Sequence, residues 1–137
     1  MMEPEAVFVY GTLKQGQRNF EVARRAGWLC SEAAYVEGFQ LYHLPRGSGR
    51  SYGYPAAVYG EGRVWGEVQW FAELARALLL LDRLEDEGQE YRRVAAWAHT
   101  EGKGRVWVWL YVYPSLARVQ EAQGRWLPQG FWPPHPG

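Results

Sequence analysis

Glu85 is the first residue whose placement points to chemistry. On a helix turning about 100 degrees per residue, Leu74, Leu78 and Leu81 form one stripe, and the next position on that stripe is Glu85. A carboxylate stands where a core leucine is expected. Burial disfavours the charged form of a carboxyl and raises its pKa, which is how a glutamate is tuned for general acid or base work near neutral pH. A second reading has the helix already ended, since Asp86, Glu87 and Gly88 follow, with a solvated glutamate in the last turn. Periodicity alone leaves both open.

The second cluster is Tyr10-Gly11-Thr12-Leu13-Lys14, directly after the apolar run at residues 7–10. Gly11 lets backbone approach a ligand closely, and successive amides in such a turn can form an anion-binding nest or oxyanion hole. An ordinary strand-ending turn explains the same residues. Other chemistry-bearing residues read more simply. His43, His99 and His135 lack ligand-like spacing, so no metal site is expected. Cys30 has no basic neighbour to activate it and is expected in the core. Arg93 is expected to be structural and paired with Asp82. Residues 47–50 are Gly-rich but lack the Gly-Lys-Ser/Thr ending of a phosphate-binding loop.

These residues need a scaffold, and the pattern along the chain supplies one. Residues 7–10 read as a buried strand, and Asn19 is a plausible N-cap for a short helix over 20–26 that stops at Gly27. Strands are expected over 28–36 and 39–44, on either side of Glu37-Gly38, and over 54–59 and 64–71. The loop 45–53, rich in Gly, Ser and Arg, is expected to act as a mobile lid. Residues 72–85 are Leu- and Ala-rich without Gly or Pro and form the strongest predicted helix. Strands over 91–99 and 105–113 flank a Gly-containing hairpin loop, and both faces of the second are apolar or aromatic. A short helix over 117–123 precedes a non-helical tail. The expected fold class is α+β: a small mixed β-barrel, a curved and mostly antiparallel sheet, with flanking helices. A single domain spans 1–137, with its core over 7–126 and a Pro-rich tail over 127–137.

Composition bounds the function. The 137 residues are 47% hydrophobic and 16% aromatic, which gives one compact domain with a ring-rich core. Fifteen Lys and Arg balance fifteen Asp and Glu. That removes the overall field that nucleic-acid and acidic-membrane binders use, so neither partner is expected. The eight Trp read as core rather than as base-stacking platforms. No apolar run approaches the roughly 20 residues that span a bilayer, the N-terminus carries Glu3 and Glu5, and the lone cysteine can form no internal disulfide. A cytoplasmic protein, monomer or homodimer, is the expectation.

Taken together, these landmarks resemble the gamma-glutamylcyclotransferase-like (AIG2-like) family. Tyr10-Gly11-Thr12-Leu13 is similar to its N-terminal signature. Tyr54-Pro55-Ala56, Val64-Trp65-Gly66-Glu67-Val68, Leu81-Asp82-x-x-Glu85 with Tyr91 and Arg93, Trp109-Leu110-Tyr111-Val112-Tyr113 and Gly124-Arg125-Trp126 follow in the family's order over residues 7–126. The resemblance implies a barrel with a pocket between the 10–14 loop and Glu85. It implies a metal- and cofactor-independent acyl transfer in which a γ-glutamyl peptide or γ-glutamyl amine cyclises to 5-oxoproline and releases an amine. Glu85 would be the general acid/base, and Gly11, Thr12 and Leu13 would supply backbone donors. Tyr10, Tyr91 and Tyr111 would wall the pocket or donate hydroxyl hydrogen bonds. A non-catalytic protein binding γ-glutamyl compounds on the same fold is the alternative. Two positions depart from the family pattern. Asp86 stands where Gly commonly follows the glutamate, placing a second carboxylate that could raise the Glu85 pKa, and Arg125 replaces an Asp.

Overall fold

A computed structural model describes residues 2–47 and 49–134. Ser48 of the expected lid, and His135 with the rest of the tail's end, lie outside the described residues, as does Met1. The chain runs β1 (Ala6–Val9), α1 (Phe20–Arg25), β2 (Trp28–Leu44), β3 (Tyr54–Phe71), α2 (Leu74–Leu84), β4 (Arg92–Thr100), β5 (Arg105–Val112), α3 (Leu116–Glu121) and β6 (Arg125–Trp126). The strand order β3-β1-β5-β4-β2 closes on itself through β2–β3 pairing, which makes a five-stranded mixed barrel with β6 added outside on β2. The β1–β5 pair is parallel and the remaining ladders are antiparallel. No helix among the described residues is long and apolar enough to cross a membrane.

The four strands expected between residues 28 and 71 are two long ones. β2 and β3 pair from Trp28 opposite Phe71 to Leu44 opposite Tyr54. Glu37-Gly38 is therefore a bulge rather than a break: the register shifts between Glu37 and Phe39, and Gly38 takes φ 89. A bulge sharpens twist while pairing continues, so one long ribbon can wrap round a small barrel.

Alternation along the strands divides the apolar side chains into two layers. Phe8, Val36, Val64, Val68, Val108, Leu110 and Val112 fill the barrel. Val7, Val9, Ala77, Leu81, Tyr91, Tyr111, Tyr113 and Val119 pack between its outer wall and the helices. Both faces of β5 are used, as its sequence suggested, with Trp107 and Trp109 half-buried.

Several local expectations change. Cys30 is exposed rather than in the core: it pairs with Trp70 on β3 just past the register shift between Trp28 and Cys30, near the open end of the ladder. Asn19 makes no side-chain cap on α1; its amide is taken by other partners described below. Helix α2 begins after Glu73, and Glu85 is its C-cap residue rather than its last helical one. Leu127 and Trp132 are buried in the barrel cluster, so packing continues past residue 126. Lys14 donates to the Trp132 carbonyl, and the Trp132 indole donates to His43 Nδ1 at 3.1 Å.

Candidate active site

A cavity of about 250 Å³ opens beside the C-terminal end of β1. Its lining includes Tyr10, Gly11, Thr12, Leu13, Glu85, Tyr91 and Tyr111, so the structure brings the expected general acid/base and the expected substrate-binding residues to one place, while Lys14 and Asp86 do not line it. It also adds Asn19, Arg50, Tyr52, Tyr54 and Glu90, which sequence patterns did not assign to a site.

The 10–14 loop is held from both sides. Thr12 accepts hydrogen bonds at its carbonyl from the Asn19 amide (2.9 Å) and at Oγ1 from Asn19 Nδ2 (3.0 Å). Asn19 Nδ2 also donates to the Tyr52 hydroxyl at 3.2 Å, tying the 45–53 loop to this turn. Glu67 Oε2 accepts from the Gln15 amide at 3.2 Å and from Gln69 Nε2 at 3.0 Å, while Gln69 Nε2 also holds the Leu13 carbonyl at 3.0 Å. The Gly-Glu-Val segment of β3 thus positions the loop. Among the described residues, the backbone amides of Gly11, Thr12 and Leu13 donate to no protein acceptor.

Two glycines are dictated by close approach. A Cβ on Gly66 would lie 2.2 Å from the Val9 carbonyl oxygen, so only glycine lets β3 pass beneath β1. A Cβ on Gly11 would lie 2.5 Å from Pro55 Cγ. The glycine of the first signature and the proline of Tyr54-Pro55-Ala56 are therefore one packing unit.

Glu85 is positioned through its helix. Asp82, one turn earlier, receives a forked pair from Arg93 (Nε to Oδ1 3.0 Å, Nη2 to Oδ2 3.3 Å) and the Tyr111 hydroxyl at 2.6 Å. This pins the end of α2 to β4 and β5, and the expected Arg93–Asp82 pair is present. The chain then turns at Asp86, whose φ of 50 is the left-handed position that follows many helices and favours glycine. Asp tolerates that region better than most side chains, which accounts for its fit where a glycine is common.

Burial pushes the Glu85 carboxyl up to about 8, and the nearby Glu90 carboxylate adds to the rise. The second carboxylate acting on it is thus Glu90, which lines the cavity, rather than Asp86, which lines only the concavity next to it. No protein hydrogen bond reaches the Glu85 side chain among the described residues. Burial also raises the hydroxyl pKa values of Tyr10, Tyr91 and Tyr111, and the charge of Glu85 contributes to all three. Their hydroxyl protons are already committed: Tyr10 to the Tyr111 carbonyl, Tyr91 to the Pro55 carbonyl at 2.6 Å, and Tyr111 to Asp82. The rings wall the cavity, and the carboxyl of Glu85 is left without a protein partner. Among the described residues, no group of three or more His, Cys, Asp or Glu could hold a metal ion.

Glu90 is the residue that a sequence scan misses. It sits beside Tyr91 in a run of charged residues, and its hydroxyl partners, Tyr54 and Tyr113 (2.9 Å), come from distant parts of the chain.

Comparison with known proteins agrees with this architecture. The family described as "Gamma-glutamyl cyclotransferase, AIG2-like" matches residues 7–133. The gamma-glutamylcyclotransferase family protein YtfP of Citrobacter rodentium is 32% identical over 121 residues, covering 88% of this chain and 94% of its own length. Its counterpart in Escherichia coli K12 is 31% identical over 121 residues, covering 88% and 95%. Among solved structures, an AIG2-like protein from mouse superposes with a TM-score of 0.65 at 26% identity, covering 82% of this chain and 79% of that one. With the barrel, the pinned loop and the glutamate at the end of α2 all in the order of that family's landmarks, the chain belongs to the AIG2-like gamma-glutamyl cyclotransferase family.

Proposed function

We propose that the protein is an enzyme that cyclises the γ-glutamyl group of a small peptide or amine to 5-oxoproline, with Glu85 as general acid/base. The observation that carries this reading is the Glu85 carboxyl, raised by burial to about 8, unpartnered, and sharing a cavity with the Gly11-Thr12-Leu13 turn. A cavity of this size suits one small molecule rather than a polymer.

The reaction requires little beyond these parts. The γ-glutamyl group folds so that its α-amine faces its own γ-carbonyl, a near-attack arrangement enforced by the tyrosine walls. Glu85 takes a proton from the α-ammonium, and the freed amine attacks the carbonyl carbon. The free amides of the 11–13 turn stabilise the oxyanion. Glu85 then gives that proton to the departing nitrogen and takes up the second proton of the ring nitrogen as the C–N bond breaks, leaving neutral 5-oxoproline. The second proton passes from Glu85 to the released amine, which departs as its ammonium and restores the carboxylate.

The test is release of 5-oxoproline from a panel of γ-glutamyl amino acids and γ-glutamyl amines. Glu85→Gln keeps the shape and loses the base, and is expected to lower kcat by about 10²–10⁴-fold. In the wild type, kcat/KM is expected to rise with pH and level off above about 8, because the base must be ionised. A Glu85→Gln variant as active as the wild type overturns the assignment. Binding of γ-glutamyl compounds without turnover would make the protein a binding relative on the same fold.

A further inference from the structure

Beside the cavity lies a second, more open concavity of about 330 Å³ that shares Gly49, Arg50, Tyr54 and Glu90 with it and adds Asp86, Gln89, Tyr113 and Arg118. The two therefore adjoin. Their walls differ in chemistry: the first is built of tyrosine rings and free amides, the second of guanidinium and carboxylate groups.

The two arginines of this outer compartment lack acid partners. Arg50 donates to the carbonyls of Pro45 (Nε, 2.9 Å) and Ala122 (Nη2, 3.3 Å). Arg118 donates through Nη1 to the Gln89 carbonyl at 2.8 Å. Elsewhere Arg24, Arg63 and Arg93 are each ion-paired with a carboxylate, whereas among the described residues neither Arg50 nor Arg118 is. Carbonyl contacts fix their direction and leave further N–H groups free, and the carboxylates that line the same compartment, Asp86 and Glu90, form no direct ion pair with either arginine among the described residues. Glu90 is also half used: both hydroxyls that it accepts, from Tyr54 and Tyr113, fall on Oε2, and Oε1 has no hydrogen bond among the described residues.

A γ-glutamyl substrate seated at Glu85 must place its leaving portion somewhere, and the open neighbour is this compartment. We propose that it is the leaving-group subsite, and that Arg50 and Arg118 bind a carboxylate there, so that γ-glutamyl amino acids are favoured over γ-glutamyl alkylamines. Glu90 Oε1 accepts the N–H of the scissile amide while the two arginines take the carboxylate beyond it. This inference rests on the cyclisation reading of the site.

The test compares γ-glutamyl-alanine with γ-glutamyl-ethylamide, which has the same shape without the carboxylate. The wild type is expected to favour the alanine compound in kcat/KM by about tenfold or more, the usual scale for a charge-assisted pair. Arg118→Gln is expected to bring that ratio below about threefold, mostly through KM, and Arg118→Lys to keep an intermediate ratio. A wild-type ratio near one, or a ratio unaffected by both Arg118→Gln and Arg50→Gln, overturns the subsite while leaving the cyclisation intact. No 5-oxoproline from any γ-glutamyl compound overturns the cyclisation and the subsite with it.

Discussion

At the scale of the residue, Glu85 is a carboxyl buried at a cost to stability. Its carboxyl is held up to about 8, above the ordinary 4.5 that it would regain on unfolding. Between those values the folded state binds the extra proton, so this contribution to stability is complete below about pH 4.5 and is lost as pH rises through about 8. Replacing the group with a neutral isostere removes that loss. Glu85→Gln is therefore expected to raise Tm relative to wild type by about 5 °C at about pH 8.5 and by much less at about pH 4.5. Thermal melts across that range check it, and a Tm difference independent of pH would contradict a buried, proton-binding Glu85. The position of Glu85 on a leucine stripe was legible in the sequence. The source of the second charge was not: Asp86 is the chain neighbour, yet Glu90 is the carboxylate that acts, because two tyrosines from distant parts of the chain hold Glu90 at the cavity wall, which Asp86 does not line.

At the scale of the element, the site depends on how closely β1 and its turn can lie on β3. Gly11 meets the Pro55 ring: a methyl group at Gly11 would fall inside contact distance of Pro55 Cγ and Cδ, while Cβ would be an ordinary 3.9 Å away. Gly11→Ala is thus expected to cost about 1–3 kcal/mol by overpacking, and markedly less in a Pro55→Ala background, where the offending ring atoms are gone. A double-mutant cycle on Tm or urea midpoint reads this coupling, and simple additivity would show that the two residues do not share a clash. The same logic explains why the helices were easier to anticipate than the strands. Helix α2 is a local 3.6-residue pattern, whereas Glu37-Gly38 looks identical in sequence whether it ends a strand or bulges one. Only the continuation of the ladder from Val36–Val64 to Phe39–Tyr59 distinguishes them.

At the scale of the whole molecule, barrel closure and the C-terminal segment complete what the strands begin. Trp132 is 7% exposed, packs in the barrel cluster and is held by Lys14 and His43. Burial lowers the Lys14 pKa, with Glu67 partly opposing it. Trp132→Ala is expected to cost about 3–5 kcal/mol, a large share of the roughly 5–15 kcal/mol typical of a domain, and, by shifting the segment whose carbonyl Lys14 holds, to loosen the Lys14 end of the 10–14 turn. Chemical denaturation measures the first and the KM for a γ-glutamyl substrate the second; a variant of unchanged stability would mean that the segment lies on the fold without supporting it. By itself the sequence determined which residue types could do chemistry, the periods of most elements, the barrel class and the family, because these reside in local patterns and in landmarks read in order. Only the tertiary structure decided that Arg50, Tyr54, Tyr113 and Glu90 meet beside Glu85, that Cys30 faces outward and that the chain after residue 126 is core. Those outcomes depend on which distant strands pair when the barrel closes, and no local period encodes that.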